Sequence, residues 1–268
     1  MLPRTDHPFA IVTGASRGLG AAYARELAGQ GYDLLLVARD QGRLEEVARE
    51  LVQRFGVTVD CESIDLAEVD AARRLHVTVV QHRRSVDVLV LNAGFGMFGA
   101  FVEMPMSRLQ DMLRLHVVGV IESLRLFLPA MVQRRAGGVI VVGSVAGFYS
   151  VPYFAEYSAT KAFLLRLCEG IAEELRHTGV RMQICCPGST ETDFHHTAGH
   201  RPRSPFGTQT AEAVARASVR GLRNGPVVLV PGWQSKVLVW LSAVVPTRVL
   251  VRAAVSWMKP PASAVEGR

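Results

Sequence analysis

The sequence predicts one doubly wound α/β domain, in which a mainly parallel sheet of seven strands carries helices on both faces. Seven short apolar runs are spaced along the 268 residues, with segments of helical spacing between them. Strict alternation of strand and helix is typical of a parallel sheet. Most of the runs are continuously apolar, as expected for strands buried on both faces. A hydrophobic fraction of 49% in a chain of this length suits a single core.

Each predicted strand is a short run bounded by turn or helix signals. The first run ends at a glycine loop, the second reads DLLLVA, and the third alternates between apolar and polar residues. The seven predicted strands are residues 9–13, 33–38, 57–63, 86–91, 139–144, 180–186 and 226–230.

The predicted helices are set by apolar spacing and by residues that start or stop a helix. The first helix stops at Gly31, and Asp40 is placed to cap the second. The fourth segment is either one long helix or two consecutive helices. The six predicted helices are residues 19–30, 41–55, 67–83, 107–135, 156–178 and 210–223.

The last part of the chain differs from the rest. Residues 1–231 form the predicted α/β domain, and 232–268 form a helical tail packed on it, with helices at 234–245 and 247–258. The tail holds all three tryptophans of the chain and several basic residues: Trp233, Trp240, Trp257, Lys236, Arg248, Arg252 and Lys259. Two interpretations stay open. The tail contacts a membrane surface through 232–258, or it covers a pocket or pairs subunits.

The charge composition argues against a nucleic-acid partner, although the net charge is +6. Only three of the 30 basic residues are lysine, and the arginines are scattered without a basic run interleaved with aromatic residues. The four cysteines (Cys61, Cys168, Cys185 and Cys186) show no framework spacing, so we expect free thiols in a reducing compartment. With no targeting segment visible, the expected location is the cytoplasm, with peripheral membrane contact as the alternative.

A glycine-rich loop joins the first strand to the first helix. It contains Gly14, Ser16, Arg17, Gly18, Leu19 and Gly20. Small residues let the backbone approach a pyrophosphate, and the helix N-terminus supplies unpaired N–H groups and partial positive charge. The strand–loop–helix context therefore predicts a dinucleotide site.

From this loop onward the sequence resembles the short-chain dehydrogenase/reductase family, over about residues 9–230. The TGxxxGxG spacing at 13–20 is followed, in the family's order, by an adenine-contacting pair, an NAG turn, a serine, a YxxxK motif and a nicotinamide-side segment. These are Asp65 and Leu66; Asn92, Ala93 and Gly94; Ser144; Tyr157 and Lys161; and Pro187, Gly188, Thr190 and Thr192. The resemblance implies a Rossmann-type fold and cofactor contacts at these positions.

The end of the second strand predicts NADPH rather than NADH. An NAD enzyme places a carboxylate there for the ribose 2′-hydroxyl, but here Ala38 is followed by Arg39. Arginine can bind a 2′-phosphate through paired charge-assisted bonds, and Arg17 can reach the same group. We assign the nearby Asp40 to helix capping.

Tyr157 and Lys161 lie four residues apart, so they share one face of a helix. A nearby ammonium lowers the pKa of a phenol and lets it act as general acid or base. In a chain so poor in lysine, a lysine at 161 indicates a role that arginine cannot fill. The resemblance implies that Ser144 holds the substrate oxygen and that Lys161 also binds the nicotinamide ribose.

His116 departs from the family's pattern, which commonly has an asparagine here that holds a proton-relaying water. Histidine exchanges protons near neutral pH and can serve such a relay. The alternative is a packed core histidine.

Aromatic and sulfur-containing residues flank the predicted site and predict a small hydrophobic carbonyl or alcohol substrate; ordinary core packing is the alternative. They are Phe95, Met97, Phe98, Phe148, Tyr149, Tyr153 and Phe154. His195, His196 and His200 lie in a predicted lid at 189–207, without a carboxylate or cysteine to complete a site, so we expect no metal.

The sequence therefore predicts an NADPH-dependent reductase of ketones or aldehydes. A non-catalytic NADP(H)-sensing or scaffold protein and a membrane-surface lipid or 3-oxoacyl reductase are the alternatives. The resemblance also implies a homodimer or homotetramer, formed through the helices at 107–135 and 156–178.

Overall fold

The computed structural model describes residues 7–81, 84–192, 194, 198 and 207–258. The strands are β1 (Phe9–Thr13), β2 (Asp33–Ala38), β3 (Val59–Ser63), β4 (Val88–Leu91), β5 (Gly137–Val142), β6 (Val180–Cys185), β7 (Thr190–Glu191), β8 (Gln209–Thr210) and β9 (Val228–Leu229). Seven of them, all except β7 and β8, form one sheet in the order β3-β2-β1-β4-β5-β6-β9, and every neighbouring pair in it is parallel. The structure confirms the predicted doubly wound fold.

Helices cover both faces of this sheet. They are α1 (Gly18–Ala28), α2 (Gln41–Phe55), α3 (Ala71–Gln81), α4 (Met106–Leu113), α5 (Gly119–Gln133), α6 (Ala155–Glu174), α7 (Ala211–Asn224), α8 (Trp233–Val244) and α9 (Thr247–Met258). Asp40 caps α2 as predicted, since its carboxylate accepts a hydrogen bond from the Arg43 N–H at 3.1 Å.

The core consists of two apolar layers, one on each side of the sheet. Side chains of α1, α2 and α7 pack on one face, and those of α3, α5 and α6 on the other. Successive strand residues point to opposite faces, so Ala10 and Val12 join the first layer while Phe9 and Ile11 join the second. This division explains why most of the strands are apolar on both faces.

The segment predicted at 107–135 is two helices joined by a π-helical turn, Arg114–Val118, which carries His116. Within the described residues, Met106–Gln133 is also the one stretch long and apolar enough to span a membrane, with a mean hydropathy of 1.6 in an 18-residue window. A core helix meets the same criteria, and here α5 contacts α3 and β5 inside the domain.

Besides shifts of a few residues in the element bounds, such as the start of α3 at Ala71 instead of 67, two details differ from the sequence prediction. Ser144 lies just beyond β5, which ends at Val142, because its backbone turns into the 3₁₀ segment Val145–Gly147. A small two-stranded parallel sheet, β7 with β8, has no counterpart in the prediction. Strands of two residues carry too little periodicity to be recognised in a sequence.

Candidate active site

A cleft of about 1240 Å³ runs along the edge of the sheet at which β1, β4, β5 and β6 end. In a doubly wound sheet this edge binds ligands where the strand order reverses, which here lies between β1 and β4. Every residue predicted to bind a cofactor lines this cleft, as does Ser144. His116 lies behind the wall instead, with 1% of its surface exposed.

The glycine loop is fastened to the NAG turn by Thr13. Its hydroxyl accepts hydrogen bonds from the backbone N–H groups of Asn92 and Ala93, at 2.9 and 3.1 Å. The Asn92 side-chain amide donates in return to the Thr13 carbonyl at 2.9 Å. Gly14 has φ +66°, and a Cβ there would lie 2.8 Å from the Asn92 amide nitrogen. Only glycine suits this position, because the two loops approach so closely.

Three arginines stand at one end of the cleft. Arg17 precedes α1, Arg39 follows β2, and Arg43 lies in the first turn of α2. Arg39 is mostly exposed and lies 3.5 Å from Asp65, while Arg43 lies 3.4 Å from Asp40. Exposed pairs of this kind are weak, so the guanidinium groups are available to an anion in the cleft.

Ser144, Tyr157 and Lys161 meet at the other end. The backbone around Ser144 is held by the N–H of Val145, which donates to the carbonyl of Pro187 at 3.0 Å. Burial raises the pKa of Tyr157, and a hydrogen bond with the Ser144 hydroxyl acts in the opposite direction. The phenol is therefore protonated at neutral pH and in contact with Ser144.

Lys161 is buried beside this pair. Its Nζ lies 5.6 Å from the centre of the Tyr157 ring and donates to the Val142 carbonyl at 2.8 Å. Burial lowers the pKa of Lys161 to about 8. The Lys161 ammonium thus lies close to the Tyr157 phenol, and its burial costs solvation free energy.

His116 connects the NAG turn to the helix that carries Tyr157. Its Nε2 accepts from the Phe95 N–H at 3.1 Å, and its Nδ1 lies 3.0 Å from the Thr160 hydroxyl. That hydroxyl donates its own hydrogen to the Tyr157 carbonyl at 2.8 Å. It can therefore only accept from His116, which assigns the neutral tautomer with hydrogen on Nδ1.

The electrostatics of His116 agree with this assignment. Burial lowers the pKa of His116 well below its usual range, and the nearby Lys161 charge lowers it further. Gly94 packs against the His116 ring, and a Cβ at position 94 would come within 2.8 Å of His116 Nε2. Both ring nitrogens are occupied in this arrangement.

Part of the predicted aromatic rim borders the cleft. Phe95, Tyr149 and Phe154 of that rim line it, and Phe154 stacks on Tyr157 with ring centres 4.3 Å apart. Phe194, which the sequence did not predict here, lines the cleft as well. The other predicted residues lie elsewhere: Phe98 packs against Tyr153 and Phe154, and Phe148 packs against the core. Another part of the wall is formed by residues of the tail, which are Gln234, Ser235, Leu238, Leu241, Ser242, Leu250, Ala253 and Ala254.

Besides Phe194, sequence reasoning missed three contributors. Thr13 belongs to the quoted loop, but its clamp on Asn92 depends on a distant turn. Arg43 lies in a helix rich in charged residues, and nothing in its spacing marks it. Thr160 lies inside the YxxxK motif, yet its role depends on His116.

His195, His196 and His200 lie outside the described residues. In the part of the chain that is described, no cluster of metal-ligating side chains occurs.

The fold and the cleft define an oxidoreductase of the dinucleotide-binding α/β class. Residues 8–202 match the short chain dehydrogenase family, and this chain belongs to that family.

Individual known proteins are also similar to this chain in sequence or structure. An uncharacterized oxidoreductase of Myxococcus xanthus is 32% identical over 245 residues, covering 91% of this chain and 95% of that protein. The very-long-chain 3-oxoacyl-CoA reductase of Laccaria bicolor is 34% identical over 177 residues, covering 65% and 52%. The structure of a short-chain dehydrogenase from Sphingobium yanoikuyae in complex with NADPH has a TM-score of 0.81 at 28% identity, covering 96% and 99%.

Proposed function

We propose that this protein is an NADPH-dependent reductase that converts an apolar ketone or aldehyde to an alcohol. One observation carries the proposal: Ser144, Tyr157 and Lys161 converge in the same cleft as the glycine loop. A proton donor, a tuning charge and an oxygen-binding hydroxyl thus lie beside a dinucleotide cradle.

The residues present fit NADPH. The N-terminus of α1 faces the cleft through Gly18 and Leu19, and unpaired N–H groups there favour a pyrophosphate. Arg17, Arg39 and Arg43 surround the end where a 2′-phosphate would lie, and guanidinium groups bind phosphate through paired hydrogen bonds. The related structure from Sphingobium yanoikuyae, which holds NADPH, supports this choice.

The reaction needs a proton at the carbonyl oxygen and a hydride at the carbonyl carbon. Bound NADPH supplies the hydride from its nicotinamide ring. Tyr157, protonated at neutral pH, donates its phenolic hydrogen to the oxygen. Ser144 hydrogen-bonds the same oxygen and stabilises the charge that develops there. The Lys161 ammonium stabilises the tyrosinate that remains.

The substrate is proposed to be apolar because of the walls around this point. These walls include Phe95, Phe154 and Phe194, and also Leu238 and Leu250 of the tail. Such walls suit acyl chains and fused-ring ketones. The Laccaria bicolor relative, named as a very-long-chain 3-oxoacyl-CoA reductase, supports 3-oxoacyl thioesters as the first candidates to test.

We assign His116 a positioning role rather than a proton relay. A relay must release and accept a proton, whereas both nitrogens of His116 are engaged by Phe95 and Thr160. His116 connects the turn at Gly94 to α6, the helix that carries Tyr157, and so fixes the position of the turn relative to that helix.

The test is consumption of NADPH with 3-oxoacyl thioesters and hydrophobic ketones and aldehydes, with NADH measured in parallel. Tyr157→Phe is expected to lose turnover by at least about 10²-fold while its NADPH dissociation constant stays unchanged. Tyr149→Phe is the matched control, because Tyr149 also lines the cleft but lies outside the Ser144–Tyr157 pair. It is expected to keep its activity.

Substantial activity in Tyr157→Phe contradicts the assigned role. Binding of NADPH without turnover of any substrate favours the non-catalytic sensing protein instead.

A further inference from the structure

Among the described residues, the outer face of α8 is apolar and exposed. Trp233, Val237, Trp240 and Val244 recur at the spacing that brings side chains to one side of a helix, and all four are exposed. The two tryptophans expose 69% and 62% of their surface. Large apolar side chains grouped in this way mark an interaction surface.

The inner face of the same helix is fixed to the domain. Ser235 is buried, and its hydroxyl accepts a hydrogen bond from the Gln209 amide at 3.0 Å. Leu238 and Ser242 line the cleft. At this point α8 therefore separates the reaction cleft from the exterior of the protein.

The charged residues of α8 and α9 have a single sign. Between residues 232 and 258 the sequence contains no aspartate or glutamate. Lys236, Arg248 and Arg252 are all exposed. This face of the protein thus combines tryptophan and valine side chains with cations. Such a combination suits a partner that has an apolar interior and a negatively charged outer layer.

We propose that this outer face of α8, together with the basic residues of α8 and α9, docks on the surface of an anionic phospholipid bilayer. Tryptophan prefers the boundary between acyl chains and headgroups. Each lysine or arginine near an anionic surface adds to the attraction. With 12 residues, α8 is shorter than the ~20 residues needed to span, so it lies along the surface.

A second copy of the chain fits this face less well. A twofold contact presents the same patch from both subunits, so it would bring together the cations of both copies with no carboxylate from this segment. The chain also exposes a separate apolar face on α4 to α6, which includes Leu113, Ile121 and Phe163. Subunit pairing through the long helices leaves the α8 face free for lipid.

Docking gives the cleft access to substrate dissolved in the bilayer. An apolar carbonyl compound would pass from the lipid around α8 into the cleft without crossing water. This consequence rests on the proposed function, whereas the binding to lipid does not.

The experiment uses the full chain and vesicles of phosphatidylcholine, alone or mixed with phosphatidylserine. All three tryptophans lie in the tail, so intrinsic fluorescence reports on this segment. We expect co-sedimentation with the anionic vesicles, a blue shift on binding and quenching by brominated lipid. Pure phosphatidylcholine is expected to bind about tenfold more weakly, and high salt to reduce the difference.

Two variants test the surface. Trp233→Ser with Trp240→Ser is expected to weaken vesicle binding by about tenfold or more, while turnover of a short, water-soluble ketone stays unchanged. Lys236→Glu with Arg248→Glu is expected to abolish the preference for anionic lipid. Val69→Ser with Val80→Ser, at exposed valines outside the tail, is the matched control.

Failure of the wild type to bind anionic vesicles overturns the proposal, as does unchanged binding by the double tryptophan variant. A dimer that disappears in that variant, without vesicle binding by the wild type, assigns the face to a second copy. Vesicle binding without reductase activity leaves the docking surface intact and contradicts only the proposed function.

Discussion

Lys161 is predicted to make the unliganded protein less stable than a neutral residue would. Burial lowers the pKa of Lys161 from 10.5 to about 8. A tenfold change in an acidity constant corresponds to about 1.4 kcal/mol, so the charged form costs about 3 kcal/mol of folding free energy. The hydrogen bond to the Val142 carbonyl returns about 1 kcal/mol. Lys161→Met, which nearly conserves volume, should therefore raise the free energy of unfolding by about 2 kcal/mol at pH 7.

The pH dependence has a definite sign. Below pH 8 the lysine is charged in both states, so the penalty is fully present in the wild type. Between about pH 8 and 10.5 the unfolded chain binds the proton while the native protein does not, and wild-type stability therefore rises. The advantage of Lys161→Met should shrink to near zero by about pH 10.

The assay is urea unfolding without cofactor at several pH values, followed by circular dichroism. Lys236→Met, at an exposed lysine, is the matched control and should change stability little at any pH. Turnover of Lys161→Met should fall by at least about 10²-fold. The reasoning would be refuted if Lys161→Met were less stable than the wild type at pH 7. It would also be refuted if the difference in unfolding free energy between the two proteins did not change with pH.

Three further predictions concern other parts of the molecule. Arg39→Ala should raise the dissociation constant of NADPH by about 10- to 100-fold and that of NADH little; equal effects would remove Arg39 from the phosphate site. His116→Asn should lower stability by about 2 kcal/mol and weaken NADPH binding without moving the pH profile of turnover, whereas a moved profile would indicate a relay. Asp33→Ala should cost about 3 kcal/mol in urea unfolding, because the fully buried Asp33 carboxylate binds Arg84 at 2.6 Å. A loss below about 1 kcal/mol would show that this pair is energetically minor.

Most of the fold and the composition of the cleft could be predicted from the sequence, because they depend on local patterns. Apolar runs and helical spacing define the elements, and parallel strands all end at one edge of a sheet. Residues as distant as Gly14, Asn92 and Ser144 are therefore brought together by topology alone. The spacing of Tyr157 and Lys161 likewise puts both on one helix face wherever that helix packs.

The tertiary structure decided what depends on partners from distant segments. His116 is compatible with a relay or a packed role until Phe95 and Thr160 occupy its two nitrogens. The tail at 232–258 is compatible with a lid or a membrane contact until packing shows which face is covered. Its inner face lines the cleft and its outer face keeps Trp233 and Trp240 exposed. A sequence specifies which side chains share a helix face, but only packing determines what each face meets.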